Sequence, residues 1–212
     1  MDNEKQNFSE DENGSALKFK PNGPVKKKII AGIFDLVEII VMSFAAVVLI
    51  FTFVFKVASV RGPSMNDTLI EGQKIITTAM FYTPQRGDVV IIDSDKFSEP
   101  IIKRVIAVGG DTVDIDFENW TTTVTTKDGE IITYKDEEYV KREYDAFGNL
   151  KDMSYANPSK YPLHVGDDEI FVMGDNRNHS TDSREKGTFK VNEVIGKAAF
   201  TIWPFDRFGF VE

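Results

Sequence analysis

The apolar positions of the chain follow two patterns that meet near residue 57. From Ile29 to Phe55 they run almost unbroken, interrupted only by Asp35 and Glu38, and from Ile39 to Phe55 no charge appears. A tract of that length predicts a helix able to cross a bilayer, which takes about 20 mostly apolar residues. It outruns the roughly 7–15 apolar residues of a removable secretory leader. It also continues through Lys56 into Val57-Ala58-Ser59-Val60, so an uncleaved anchor over residues 29–57 is expected. Residues 1–28 are polar, acids first and lysines after, which reads as a disordered tail. The lysines at 26–28 place that tail in the cytoplasm and the rest of the chain outside. Asp35 and Glu38 are expected at the cytoplasmic headgroup level.

Past residue 58 the period changes. Short runs rich in β-branched residues fall at 74–78, 88–93, 101–108, 112–116, 121–126, 130–134, 169–173 and 197–203, separated by turn residues such as Pro84 to Gly87, Gly109 to Asp111, Lys127 to Gly129 and Gly174 to Asn176. This predicts a mainly β, mostly antiparallel domain over 58–212. Residues 136–168 are charged and aromatic without clear periodicity and read as an irregular excursion, within a wider variable insertion over 112–168. Met80-Phe81-Tyr82 is an aromatic step that either dips into the membrane interface or packs on the core.

Composition narrows the chemistry. The net charge is -9 over 212 residues, which argues against a nucleic-acid binder that neutralises phosphates. There is no cysteine, so a thiol nucleophile, a disulfide framework and a thiolate metal site are all excluded. With two histidines a His-rich zinc site is not expected either. The polar loop 174–184 could be read as a calcium loop, but Arg177 and Arg184 repel a cation and no glutamate stands at the closing position. No metal or cofactor is expected.

Three segments carry candidate chemistry. In Arg61-Gly62-Pro63-Ser64-Met65, glycine and proline set a tight backbone course towards a hydroxyl, although a serine in a turn is by itself an ordinary turn former or cap. In Pro100-Ile101-Ile102-Lys103-Arg104-Val105-Ile106 two cations stand side by side on a predicted strand, so one is directed to a packed face. A buried, neutral lysine can take a proton from a serine; a lysine snorkelling from an edge strand is the alternative. Gly174-Asp175-Asn176-Arg177-Asn178-His179-Ser180-Thr181-Asp182-Ser183-Arg184 can order itself through its short polar side chains and an Asp182 to Arg184 ion pair.

In this order behind one N-terminal span, the three segments resemble the bacterial type I signal peptidases, a family of Ser-Lys proteases that remove signal peptides from exported proteins. The likeness extends to Thr68-Leu69, to Arg86-Gly87-Asp88-Val89-Val90, to Gly110-Asp111, and to Ile195-Gly196-Lys197-Ala198 with Trp203-Pro204; residues 112–168 carry little of it. It implies that Ser64 attacks the scissile carbonyl, that Lys103 is the general base, and that the Ser64 N–H helps hold the oxyanion. It implies that Ser180 hydrogen-bonds and orients Lys103 while Asp182, Arg184 and Arg104 brace the loop. Val60, Met65, Leu69, Ile101 and Ile102 match the shallow pockets for small residues at the -1 and -3 positions of a signal peptide. The partners it implies are signal peptides of secretory preproteins and membrane lipid, with the chain a monomer.

The sequence departs from the family pattern in three places. Gly62 replaces a serine that in some members completes the oxyanion hole. Asp67 stands where a proline is usual and brings a negative charge near the groove, and Ala107 and Gly109 replace a glycine and a proline after the base. Three rival readings remain: a self-cleaving repressor-type peptidase, an anchored binding protein, and a serine dyad built on His179.

Overall fold

A long apolar tract satisfies its own backbone hydrogen bonds as a helix, and residues Gly23–Val54 form one, α1. The computed structural model describes residues 23–78, 82–135, 137–153 and 160–211, so the expected tail up to residue 22 lies outside it, as do Met80 and Phe81. The helix begins inside the expected tail because Pro24 suits a first turn and the lysines at 26–28 are good helix formers. It stops before the expected end because Phe55–Ser59 pairs as a strand instead. Its residues from Lys28 to Leu49 have a mean hydropathy of 2.3, none of them buried, and the segment is long and apolar enough to cross a membrane. Asp35 and Glu38 both lie within that apolar stretch.

The chain divides into two units between Val48 and Leu49. The second unit is built on an eight-stranded sheet containing β1 (Phe55–Ser59), β2 (Lys74–Thr78), β3 (Val89–Ile92) and β4 (Ile101–Val108). Its later strands are β9 (Glu169–Met173), β10 (Phe189–Lys190), β11 (Val194–Trp203) and β12 (Gly209–Phe210). The order across it is β1-β2-β11-β3-β4-β9-β10, with β12 beside β11. Residues within the supposed insertion form a second sheet of their own, from β5 (Thr112–Asp116), β6 (Thr121–Thr125), β7 (Ile131–Tyr134) and β8 (Leu163–His164), in the order β7-β6-β5-β8. All the strand pairings are antiparallel.

Alternation along β3 explains how the first sheet is filled. Val89 and Ile91 enter one core cluster with Met65 and Leu69, while Val90 and Ile92 enter another with Val105, Val172 and Phe189. All four are buried, so β3 is covered on both faces. A third cluster around Trp120, Val113 and Val124 takes in Ile106, Phe171 and Met173, which packs the second sheet onto β4 and β9. A register shift between Val105 and Ala107 marks the bulge where β4 turns from one cluster to the other.

Candidate active site

The loop from Val60 to Gln73 is held at its neck, where the Val60 N–H donates to Gln73 O and the Gly72 N–H to Val60 O. Met65 and Leu69, each 1% exposed, pin its body to the core. Burial of such side chains stabilises by about 2 kcal/mol each. Gly62 has a φ of +73°, which a side chain rarely adopts, and with Pro63 it turns the chain so that Ser64 stays half-buried between this loop and β4. The Ser64 N–H has no partner among the described residues and is free to donate.

Lys103 comes from β4, at the point where pairing with β3 continues and pairing with β9 has not begun. It is 3% exposed. Its Nζ stands 2.8 Å from Ser64 Oγ and 3.0 Å from the Ile102 carbonyl oxygen, and no carboxylate pairs with it among the described residues. Burial therefore pushes its pKa down to about 8, with Asp182 and Asp175 pulling it up and Arg184 pressing it further down. A buried amine in contact with a hydroxyl, and readily neutral, has the chemistry to accept that hydroxyl's proton.

The polar loop after β9 surrounds this pair. Asp182 is fully buried and takes Nε and Nη2 of Arg184 at 2.9 and 2.8 Å, the Gly174 N–H at 2.9 Å and the Ser180 hydroxyl at 2.7 Å. Asp175 holds Arg104 in a two-point fork at 2.9 and 2.8 Å and accepts from the Thr68 hydroxyl at 2.6 Å. Ser180 thus differs from expectation. Its hydroxyl donates to Asp182, and among the described residues it makes no hydrogen bond to Lys103. Gly174 is what admits this arrangement: a Cβ there would stand 2.3 Å from Ser180 Oγ and 2.5 Å from Ser64 O.

The groove in front of the pair is lined by Ala58, Ser59, Arg61, Ile101 and Ile102 among others. Of the five expected pocket residues, Ile101 and Ile102 line it. Val60, Met65 and Leu69 do not; each is 1–2% exposed and belongs to the core that anchors the Ser64 loop. Arg61 and Glu99, from opposite banks, form an exposed ion pair at 2.5 Å. Both banks are strand edges: β1 ends its sheet, and among the described residues, 101–103 have no partner strand on the side away from β3.

Asn176 was not singled out as a site residue, yet its N–H donates to Ser64 O and its Nδ2 to Pro63 O, both at 3.1 Å. These bonds go to main-chain oxygens, which no residue pattern announces. His179 is not among the hydrogen-bond partners of Ser64 or Lys103 and faces Glu143 at 2.5 Å. Among the described residues no group of acids and histidines is placed to hold a metal.

The family described as signal peptidase, peptidase S26, matches residues 33–203. Signal peptidase IB of Staphylococcus aureus strain COL is 30% identical over 193 residues, covering 87% of this chain and 94% of its own. Signal peptidase I P of Bacillus subtilis subsp. natto is 30% identical over 186 residues, covering 86% and 95%. A solved signal peptidase I from Enterococcus faecalis V583 shares 26% identity over 55% of this chain and 97% of its own, with a TM-score of 0.36.

Proposed function

The chain belongs to the signal peptidase family, peptidase S26, and is a serine peptidase acting on signal-peptide-bearing preproteins; on that footing we propose that Ser64 is its nucleophile and Lys103 its general base. The observation that carries the reading is the 2.8 Å contact between a buried lysine without a carboxylate partner and a half-buried serine. Neutral Lys103 takes the Ser64 proton as Oγ attacks the scissile carbonyl, then gives it to the leaving amine as the acyl-enzyme forms. The same amine next activates water, which releases the processed end. The Ser64 N–H, which is free to donate, stabilises the oxyanion, and with Gly62 at its position no side chain there assists.

The open edges of β1 and of residues 101–103 suit an extended peptide laid between them as an added strand. Alternate side chains of such a strand point inward, and Ala58, Ile101 and Ile102 leave room for small residues at -1 and -3. The α1 helix anchors the enzyme in the cell membrane as a single pass, with Lys26–Lys28 on the cytoplasmic side and the catalytic unit outside. Lipid contact is further supported by Trp203, Phe205, Phe208 and Phe210, exposed by 49–79% around β12. The enzyme acts as a monomer without nucleic acid or cofactor.

The test is cleavage of a preprotein with a small-X-small signal peptide by the full chain in detergent. Ser64→Ala and Lys103→Ala are each expected to abolish processing, and full activity in either overturns the dyad.

A further inference from the structure

Residues 112–168 carry little of the family's sequence likeness, yet within them residues 137–153, between β7 and β8, touch every segment that builds the dyad. Lys141 Nζ lies 3.7 Å from Asp67 in the Ser64 loop, and Glu143 meets His179 in the polar loop. Those contacts are largely exposed and hold little energy. Two others are not. The Tyr139 ring lies 4.0 Å from the Arg104 guanidinium, and Glu137 Oε1 lies 3.9 Å from Nη2 of Arg177.

Arg177 is 1% exposed, and neither its Nε and Nη2 nor Glu137 Oε1 makes a hydrogen bond among the described residues. Charge alone holds this pair. Burial works against the Arg177 charge, and Glu137 is the largest influence in its favour. The residue before Arg177 is Asn176, whose two hydrogen bonds fix the carbonyls of Ser64 and Pro63. The Arg177 carbonyl in turn accepts Nη2 of Arg184 at 2.7 Å, which ties it to the Asp182 cluster. On the second route, Tyr139 backs Arg104, Arg104 forks onto Asp175, and Asp175 accepts from Thr68 in the Ser64 loop.

We propose that Glu137 and Tyr139 are positioning residues for the peptidase reaction, acting through Arg177 and Arg104 on the turns that hold Ser64 against Lys103. The excursion after β7 is then a back wall of the active site and not a dispensable insertion. A displacement of the order of 1 Å at the nucleophile is enough to cost up to about a hundredfold in rate.

The inference rests on the Ser64 and Lys103 reading, and the two fail separately: processing by Ser64→Ala overturns the dyad whatever Glu137 does. With the full chain in detergent and a preprotein substrate, Glu137→Gln is expected to lower kcat about tenfold while KM stays within about twofold. Tyr139→Leu should behave alike, and Tyr139→Phe, which keeps the ring, should retain the parent kcat. The double variant Glu137→Gln with Arg177→Met should lose no more than Arg177→Met alone, since the pair acts as a unit. If Glu137→Gln does not fold, the Tyr139→Leu and Tyr139→Phe comparison decides. A lowered melting temperature with unchanged kcat of the folded enzyme, or losses that simply add in the double variant, overturns the proposal.

Discussion

Lys103 and Arg104 are neighbours on β4, each 3% exposed, yet the regions around them bury charge in opposite ways. Lys103 faces a hydroxyl and a carbonyl, and among the described residues no carboxylate pairs with it. Arg104 is forked onto Asp175 and backed by Tyr139, and beside it Arg184 is forked onto Asp182. Burial without a counterion favours the neutral amine and makes a base. Burial with a counterion and satisfied hydrogen bonds fixes geometry and leaves the charge in place. The first region trades stability for reactivity, and the second holds the first in shape.

The sharpest test of that contrast is Lys103→Met, which should move activity and stability in opposite directions. Activity is expected to fall at least about a thousandfold, as when a member of a Ser-centred catalytic set is removed. Stability should rise at neutral pH. The folded pKa near 8 lies below the ordinary lysine value of 10.5 that the unfolded chain keeps, so between those values the unfolded chain binds more protons and the fold gains stability as pH rises. Below about pH 8 the buried ammonium costs the fold about 3 kcal/mol, and methionine removes that cost. In the parent enzyme the same group, as the proposed base, is expected to give kcat/KM an ascending limb centred near pH 8. A limb centred near the ordinary lysine value, or a Lys103→Met protein less stable than the parent at pH 7, would break the comparison.

How much of this was legible in the sequence depends on whether a feature rests on local pattern or on distant partners. The β-branched alternation of Ile101 to Val108 marks β4 to the residue, as does that of Thr112 to Asp116 for β5. β1 was hidden because Phe55 to Ser59 continues the apolar tract of the anchor, and only pairing with β2 makes it a strand. The two-residue strands β8, β10 and β12 are likewise set by their partners. Ser64 and Lys103 could be singled out because residue type and motif order carry them. The resemblance assigns the Ser180 hydroxyl to Lys103, whereas its bond to Asp182 follows from how the loop folds, which residue types do not fix. Met65 and Leu69 read as pocket walls because apolar residues beside a nucleophile look alike whether they face a substrate or the core.

The paired region is tested next by Asp182→Asn. This leaves the Arg184 guanidinium buried without its counterion, which should cost about 3 kcal/mol. For a chain of this size that corresponds to a fall in Tm of roughly 6–12 °C in thermal denaturation. Burial opposes ionisation of Asp182, but the Arg184 guanidinium and the donors from Gly174 and Ser180 hold its carboxyl below its ordinary value. Its contribution is therefore present above the ordinary carboxylate range and is lost as pH falls through the lower, folded value. Asp182→Asn should accordingly flatten the acid limb of the stability curve. An unchanged Tm would show that the pair is not what holds the loop.

The smallest effect is expected where a pair has a counterion but no burial. Arg61 and Glu99 meet at 2.5 Å across the groove, with side chains 72% and 59% exposed. Water solvates both charges with or without the contact, and salt screens what attraction remains, so an exposed pair contributes less than about 1 kcal/mol. Glu99→Gln should therefore leave Tm within about 2–4 °C of the parent at low salt and closer still at high salt. The variant separates distance from burial as the cause of stabilisation, because this contact is shorter than the 2.8 Å Arg184 to Asp182 bridge. A loss as large as that of Asp182→Asn would mean that contact distance sets the strength of these pairs, and the contrast between the two neighbourhoods of β4 would then need another basis than burial.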